Sequence, residues 1–480
     1  MLPEESNELN ISPKLPWLAA MAMFMQSLDG TILNTALPTI AIDLHHSQLS
    51  MQAVVVSYAL TLALLIPVSG WLSDKYGTKR IFSIAVFLFT LGSLACAIST
   101  TFNQLVASRV LQAIGGSMMV PVSRLALIYA YPKNKLLGVI NFVTMPGLVG
   151  PLLGPLLGGW LVDVASWHWI FLINIPIGIA GLIFTQYVMP NFTRGGKRFD
   201  LIGFILFSGG LIALSLALES GDGGNINWKS LGIILFLAAL FGTLYILYAK
   251  RVNNPIINLN LFKIRTLRIG LIGNLCTRLG IGSLPFLLPQ MLQIAFLRSS
   301  TESGLLMMAS AVTTIFAKSQ VIPLVKRFGY KKVLITNTVI LAIVISMFAL
   351  PDKSTPIFLL IPVLFVYGAI NSIQMSSMNT ISLADLTPEV ASGGNSMLAI
   401  TQQLSISFGV SVGAMILRST ESASWLTDGD IGLSFKYTFI ILGVITLLSA
   451  GIFARLKKTD GDDMSGHCLL YTSPSPRDRQ

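Results

Sequence analysis

Asp29 stands in the middle of an otherwise apolar run, whereas Asp163, Glu219 and Glu302 all lie near the ends of such runs. An ionisable group at bilayer depth costs roughly 2.5–3.5 kcal/mol or more unless it is paired or hydrated, so it marks function by default. Loss of water favours the protonated carboxyl and a nearby cation favours the charged one. An acid held between these two influences can load and release protons; the plainer use is a static ion pair between helices. On ideal helical geometry Gln26 and Leu33 share the face of Asp29, with Asn34 about 150° round. Gln26 and Asn34 are thus candidates to line a substrate cavity.

Arg109 supplies a plausible cation in the string Arg109-Val110-Leu111-Gln112-Ala113-Ile114-Gly115-Gly116-Ser117. Arginine does not deprotonate usefully, so it would tune an acid or bind an anion rather than carry the proton. Gly115, Gly116 and Ser117 let another helix come close. Further on, Gly150, Gly154 and Gly158 recur every fourth residue, forming a smooth stripe, and Pro151 and Pro155 within it break the backbone ladder and favour bending. A third string, Gly70-Trp71-Leu72-Ser73-Asp74-Lys75-Tyr76-Gly77-Thr78-Lys79-Arg80, joins a small residue for close packing to an acid and three cations. Asp74 there could pair with a cation or cap a facing helix N-terminus and so latch one side of a bundle. In Trp167-His168-Trp169 the tryptophans fit an interfacial belt, and His168 is read as an interfacial hydrogen-bonding group. Arg278 and Lys318 are further cations within apolar runs and complete the cavity candidates.

The elements that must position these residues are membrane helices. Only 11% of the 480 residues are charged and 53% are hydrophobic, with a mean hydropathy of +0.73. A soluble domain carries roughly 25% charged residues, so a water-soluble enzyme is excluded. The net charge of +11 fits basic cytoplasmic loops rather than nucleic-acid binding. Cys96, Cys276 and Cys468 are odd in number and lack metal-ligand spacing, so neither disulfide, metal nor other cofactor is expected. Apolar runs near the required length of about 20 residues begin near positions 17, 51, 81, 104, 136, 167, 201, 230, 268, 302, 332, 357, 392 and 435, which predicts an all-α bundle of fourteen spans. Residues 1–16 lack a basic n-region and no small-residue cleavage site follows the first run, so that run is expected to stay as a span. Loops after even-numbered spans hold seventeen Lys and Arg, including Arg194, Lys197 and Arg198, against five after odd-numbered spans, which places both ends in the cytoplasm.

The Gly70–Arg80 string recurs in degenerate form as Ile322–Lys332, with Gly77 matching Gly329, and Ala113-Ile114 aligns with Ala369-Ile370. Two six-span halves, 17–190 and 268–454, would then flank an inserted pair within 191–267. Residues 1–16 and 455–480 would be cytoplasmic. The Ser/Pro/Arg-rich stretch 466–480 looks like translated adapter DNA and is assigned no function.

Taken together, these strings resemble the major facilitator superfamily, specifically fourteen-span drug:proton antiporters of the EmrB/QacA type, over about 17–454. The resemblance implies a proton-coupled efflux transporter of the bacterial inner membrane that works by alternating access on small molecules. It implies Asp29 as the coupling acid with Arg109 as its partner. Gly70, Asp74, Gly77 and Arg80 would form the cytoplasmic gate, and Gly150, Pro151, Gly154, Pro155 and Gly158 the hinge. His168 stands in place of the usual arginine, Gly30 in place of threonine or serine, and Lys326 where the second gate would have an acid. With Arg109, Arg124, Arg278 and Lys318 set against one deep acid, an organic anion or metal chelate such as citrate is an alternative to a cationic drug. A receptor or scaffold without transport is a remote alternative. An enzyme would need grouped nucleophile, base and orienter, and a channel would need pore rings, none of which the strings provide.

Overall fold

The structure is a computed structural model, and it describes residues 12–193, 195, 199–219, 228–252, 255–387 and 390–465. Arg194, Lys197 and Arg198, the first eleven residues and the stretch 466–480 lie outside the described residues. No strand occurs among those described. That follows from the composition: in a bilayer every backbone polar group must find a partner within the chain, and a helix satisfies its own.

The longer helices are α1 (Leu15–Ile32), α2 (Gln52–Tyr76), α3 (Thr78–Ala97), α4 (Phe102–Ala130), α5 (Lys133–Val164), α6 (Asn174–Val188), α7 (Leu201–Glu219), α8 (Trp228–Ala249), α9 (Arg265–Ile281), α10 (Ser300–Ala317), α11 (Val321–Met347), α12 (Leu360–Leu383), α13 (Ala391–Ser422) and α14 (Ile431–Phe453). Polar residues start several of them. Thr101 Oγ1 accepts from the Gln104 amide, Ser299 and Glu302 form a reciprocal capping box, and Asp430 Oδ1 accepts from the Gly432 amide at 2.7 Å.

Twelve stretches are long and apolar enough to cross a membrane, against the fourteen expected. The difference has two sources. One of the twelve, Ser300–Met347, runs 48 residues, about 72 Å of helix at 1.5 Å per residue, against a hydrocarbon core of about 30 Å. Gly329 interrupts it with φ 77° and ψ 156°. The other source is α1, absent from the twelve, in which Gln26 and Asp29 dilute the hydropathy.

The chain divides into two compact units, residues 1–46 with 61–199, and 47–60 with 200–480. In the first, α1 packs against α5 on one side and against α4 and α6 on another, while α3 lies against α4 and α6. The α3–α4 approach is close enough that a Cβ on Gly92 would sit 2.5 Å from the Gln112 backbone, and Gly115 meets α3 backbone in the same way, as its small-residue setting suggests. In the second unit α9 packs on α12, α13 and α14, α11 on α12 and α14, and α7 pairs with α8 and touches α13. Leu334, Met378, Ile381 and Phe453 centre a buried cluster there.

The sequence repeat has a structural counterpart. Gly77 has φ 95° and ψ 143° ahead of α3, and Gly329 has nearly the same angles. Only glycine enters this region freely. Each turn is braced by chain that follows the unit's last span. Beyond Gly77, Thr78 Oγ1 donates to the Pro190 carbonyl at 2.8 Å and the Thr78 amide to the Phe192 carbonyl at 3.0 Å. Beyond Gly329, the Tyr330 ring lies against Gly461, beside the Arg265–Asp460 ion pair at 3.3 Å. Left-handed backbone costs an ordinary residue roughly 1–2 kcal/mol, and a Cβ on Gly77 would also collide with the Asn191 side chain. Gly77→Ala should therefore lower the detergent melting temperature, whereas Gly70→Ala, whose Cβ would meet nothing within 4 Å, should leave it in place. Equal shifts in the two would remove the argument from backbone strain.

Candidate functional site

Asp29 and Arg109 meet. Their side chains are 1% and 2% exposed, and Arg109 Nη1 lies 2.8 Å from Asp29 Oδ2. The same Nη1 donates to Gln112 Oε1, one helical turn on. Gln112 Nε2 donates to Asp29 Oδ1 and to Ser93 Oγ, both at 2.7 Å. Asn174, at the start of α6, donates from Nδ2 to Asp29 Oδ1 at 3.1 Å and lies 3.4 Å from Ser93 Oγ. The Phe171 ring sits 5.9 Å from the guanidinium carbon. The Asp29 carboxyl thus receives hydrogen bonds from three side chains on two neighbouring helices, and every one of those groups donates.

Sequence reasoning singled out Asp29 and Arg109 but not Gln112, Asn174 or Ser93. Gln112 falls three residues after Arg109, on the same helical face, and Asn174 interrupts an apolar run; those were the available signals.

The opposite side of α1 carries a second arrangement. A Cβ on Gly150 would fall 2.7 Å from the Leu28 amide, and on Gly154 or Gly158 it would collide with Thr31 or with Ile32 and Thr35. The glycine stripe is thus the surface on which α1 lies. Ser27, Thr31 and Thr35 recur at the same four-residue spacing, a pattern in plain view of the sequence. Ser27 Oγ donates to the Gly147 carbonyl at 2.6 Å; Thr31 Oγ1 lies 3.2 Å from the Gly150 carbonyl and Thr35 Oγ1 3.2 Å from that of Pro155. Pro151 has no N–H to give the Gly147 carbonyl, its partner four residues back. The Ser27 hydroxyl fills that place.

The expected gate residues are arranged differently from the sequence reading. Asp74 is not paired with Arg80 among the described residues; Tyr129 donates to Asp74 Oδ1 at 3.1 Å. Arg80 is exposed. Lys79 Nζ donates to the Gln186 carbonyl at 2.6 Å, and Lys75 Nζ lies 4.8 Å from the Trp71 ring centre. Gly70 has open space where a packed neighbour was expected. Lys79 and Lys75 are thus taken up by a carbonyl and an aromatic face rather than by the acid.

Among the cavity candidates, Gln26 is half-buried, and its Oε1 has no hydrogen-bond partner among the described residues. Asn34 is buried in the 3₁₀ turn Leu33–Thr35. No hydrogen bond joins either to Asp29 among the described residues. In the second unit Arg278 Nε donates to Asn274 Oδ1 at 2.9 Å, and Asn274 Nδ2 and Gln402 Nε2 both donate to Asn379 Oδ1. Among the described residues no carboxylate pairs with Arg278. Lys318 is exposed in the 3₁₀ turn Lys318–Gln320 and makes no hydrogen bond or ion pair among those residues. At the mouth of the first unit, Trp167 Nε1 donates to Asp43 at 2.8 Å and stacks on His168, whose Nδ1 lies 3.1 Å from Ser166 Oγ.

A bundle of long apolar helices around a buried acid–arginine pair defines a polytopic membrane transporter rather than an enzyme. The chain belongs to the Major Facilitator Superfamily, whose sequence model matches residues 19–262 and 270–466. It is 44% identical to “Putative multidrug resistance protein MdtD” of Cronobacter sakazakii over 95% of this chain and 96% of that protein. To the protein of the same name from Citrobacter koseri it is 46% identical, covering 92% and 94%. Among solved structures it is similar in fold to a D-xylose–proton symporter, with TM-score 0.68, 15% identity and coverage of 93% and 98%. The nucleoside transporter NupG shares the fold at TM-score 0.63 and 16% identity, covering 92% and 98%.

Proposed function

We propose that this protein is a proton-coupled exporter of small molecules in a bacterial inner membrane, working by alternating access with Asp29 as the proton-carrying group. The observation that carries the proposal is the buried Asp29 held by Arg109, Gln112 and Asn174. A proton on one Asp29 oxygen would turn that atom into a donor facing either Arg109, at Oδ2, or Gln112 and Asn174, at Oδ1, while the other oxygen still accepts, so the contacts at the protonated oxygen must rearrange. Such a change in bonding can bias two arrangements of the helices. The relatives' name supports efflux, and their Gram-negative sources support the inner membrane. Fourteen crossings in two six-span halves with an inserted pair, and both ends in the cytoplasm, belong to the same reading. So do a gate at Gly70, Asp74, Gly77 and Arg80 and a hinge along Gly150–Gly158. Proteoliposomes tested with cationic dyes and organic acids should accumulate a substrate only when a pH gradient is imposed. Equal accumulation without the gradient, for every compound transported, would refute proton coupling.

The charge of the substrate has a second reading. Arg278, within its span and without a carboxylate among the described residues, favours an organic anion or an anionic chelate over a cationic drug. A charge-assisted hydrogen bond contributes roughly 1.5–3 kcal/mol, so Arg278→Ala should weaken binding of an anion about 10- to 150-fold. A lipophilic cation should bind the variant equally well or better, since a repulsive charge is gone. Lys318→Ala, assayed in parallel, should show the same signs if Lys318 shares the cavity. Transport of a cation crippled by both substitutions would return the protein to cationic substrates.

A further inference from the structure

We infer that Asn174 is a positioning residue that sets how tightly Asp29 holds its proton. The inference rests on the reading of Asp29 as the proton carrier. Asn174 is 1% exposed, and it enters the site from α6, a helix that supplies neither member of the ion pair. Its amide nitrogen faces Asp29 Oδ1 at 3.1 Å, while its Oδ1 has no hydrogen-bond partner among the described residues. A buried amide oxygen without a partner is costly. Turned over, that oxygen would have the Ser93 hydroxyl 3.4 Å away as a donor, but toward Asp29 it would find one only if the carboxyl carried a proton; against a charged carboxylate it would set two acceptors face to face. The observed orientation is therefore the one that serves the charged carboxylate.

The charged and titratable groups around Asp29 are few. Arg109 comes from α4, and from α3 comes the Cys96 thiol, whose Sγ lies 3.9 Å from Gln112 Oε1. From α6 the contact is Asn174, and α5 meets α1 through its glycines on the other side. Arg109 fixes the sign of the field at Asp29, and Asn174 adds an uncharged donor that can be altered while the ion pair stays in place.

Removing the amide takes a charge-assisted hydrogen bond from the charged form and a weaker neutral one from the protonated form. A hydrogen bond to a charged group contributes roughly 1.5–3 kcal/mol, and one pH unit corresponds to about 1.36 kcal/mol. With a 3.1 Å contact the lower end applies. In proteoliposomes, the pH of half-maximal transport should move about one unit toward alkaline in Asn174→Ala. The move should be smaller in Asn174→Ser, whose hydroxyl can still donate. Thr185→Ala is the control: Thr185 is equally buried on α6, but among the described residues its hydroxyl bonds only to the Gly181 carbonyl of its own helix, so its profile should match the wild type. Asp29→Asn should erase the pH dependence in every background.

The outcomes separate. A wild type without pH dependence sinks the proton-carrier reading itself. A pH-dependent wild type with an unmoved midpoint in Asn174→Ala, or a shift equal to that of Thr185→Ala, overturns the role of Asn174 alone. Should Asn174→Ala fail to reach the membrane, Asn174→Ser decides by the same comparison.

Discussion

Asp29→Asn should abolish accumulation of substrate against a gradient while leaving carrier-mediated exchange at equal concentrations measurable. Asparagine keeps the size of the side chain and cannot take up a proton at physiological pH. It also leaves Arg109 as a buried cation whose acid is gone, and breaking a buried pair from one side costs roughly 3–5 kcal/mol. Loss of transport could then reflect loss of protein, so the double substitution Asp29→Asn with Arg109→Gln is the informative partner. Removing both charges should restore the detergent melting temperature toward the wild-type value, yet uphill transport should stay absent. Membrane abundance, melting temperature and pH-driven uptake measured on the three variants settle the matter. Undiminished uphill transport by Asp29→Asn would take Asp29 out of the mechanism.

Gly154→Leu should reduce the transport rate by at least about tenfold. A Cβ at this position already collides with Thr31 Oγ1, so the larger side chain must push α1 and α5 apart. Overpacking of this kind typically costs roughly 1–3 kcal/mol, which a bundle of this size can survive. What it cannot keep is the register of the three hydroxyls on α5. Gly154→Ala should give a partial loss, and Gly138→Leu, where nothing lies within 4 Å of a Cβ, should be close to neutral. Rates from a protein normalised for membrane abundance decide; an unchanged rate in Gly154→Leu would reduce the stripe to ordinary packing.

Charge made part of the site readable from sequence. Asp29 and Arg109 announce themselves because an ionised group in an apolar run has few stable resting places, and those places are opposite each other. Neutral polar groups give no such notice. Ser93, Gln112 and Asn174 are affordable in many positions along a membrane helix, and only the crossing of α3 and α4 at Gly92 and Gly115 brings Ser93 to Gln112, whose amide reaches the carboxylate. The glycine stripe was legible for a different reason: its four-residue period is a geometric statement by itself, and the repeat linking Gly77 to Gly329 is reproduced in their backbone angles. Asp74 accepts from Tyr129 and pairs with no cation among the described residues, since surface cations on long stems have several resting places, and the nearest acid is only one of them. Span counting by hydropathy is least sharp at α1, since Asp29, the proposed coupling acid, itself lowers the apolar average of that helix.

The two faces of α1 differ in what they respond to. Toward α5, the contacts are hydroxyls on backbone carbonyls and glycine against backbone, groups that neither gain nor lose a proton in the physiological range. Toward α4 and α6, the hydrogen bonds of Asp29 among the described residues are written in charge and in donor count. The helix is a partition between a chemically silent wall and a chemically addressed one. Ionic strength and pH should therefore leave the α1–α5 spacing alone, and a distance probe across α1 and α4 is where protonation should first be heard.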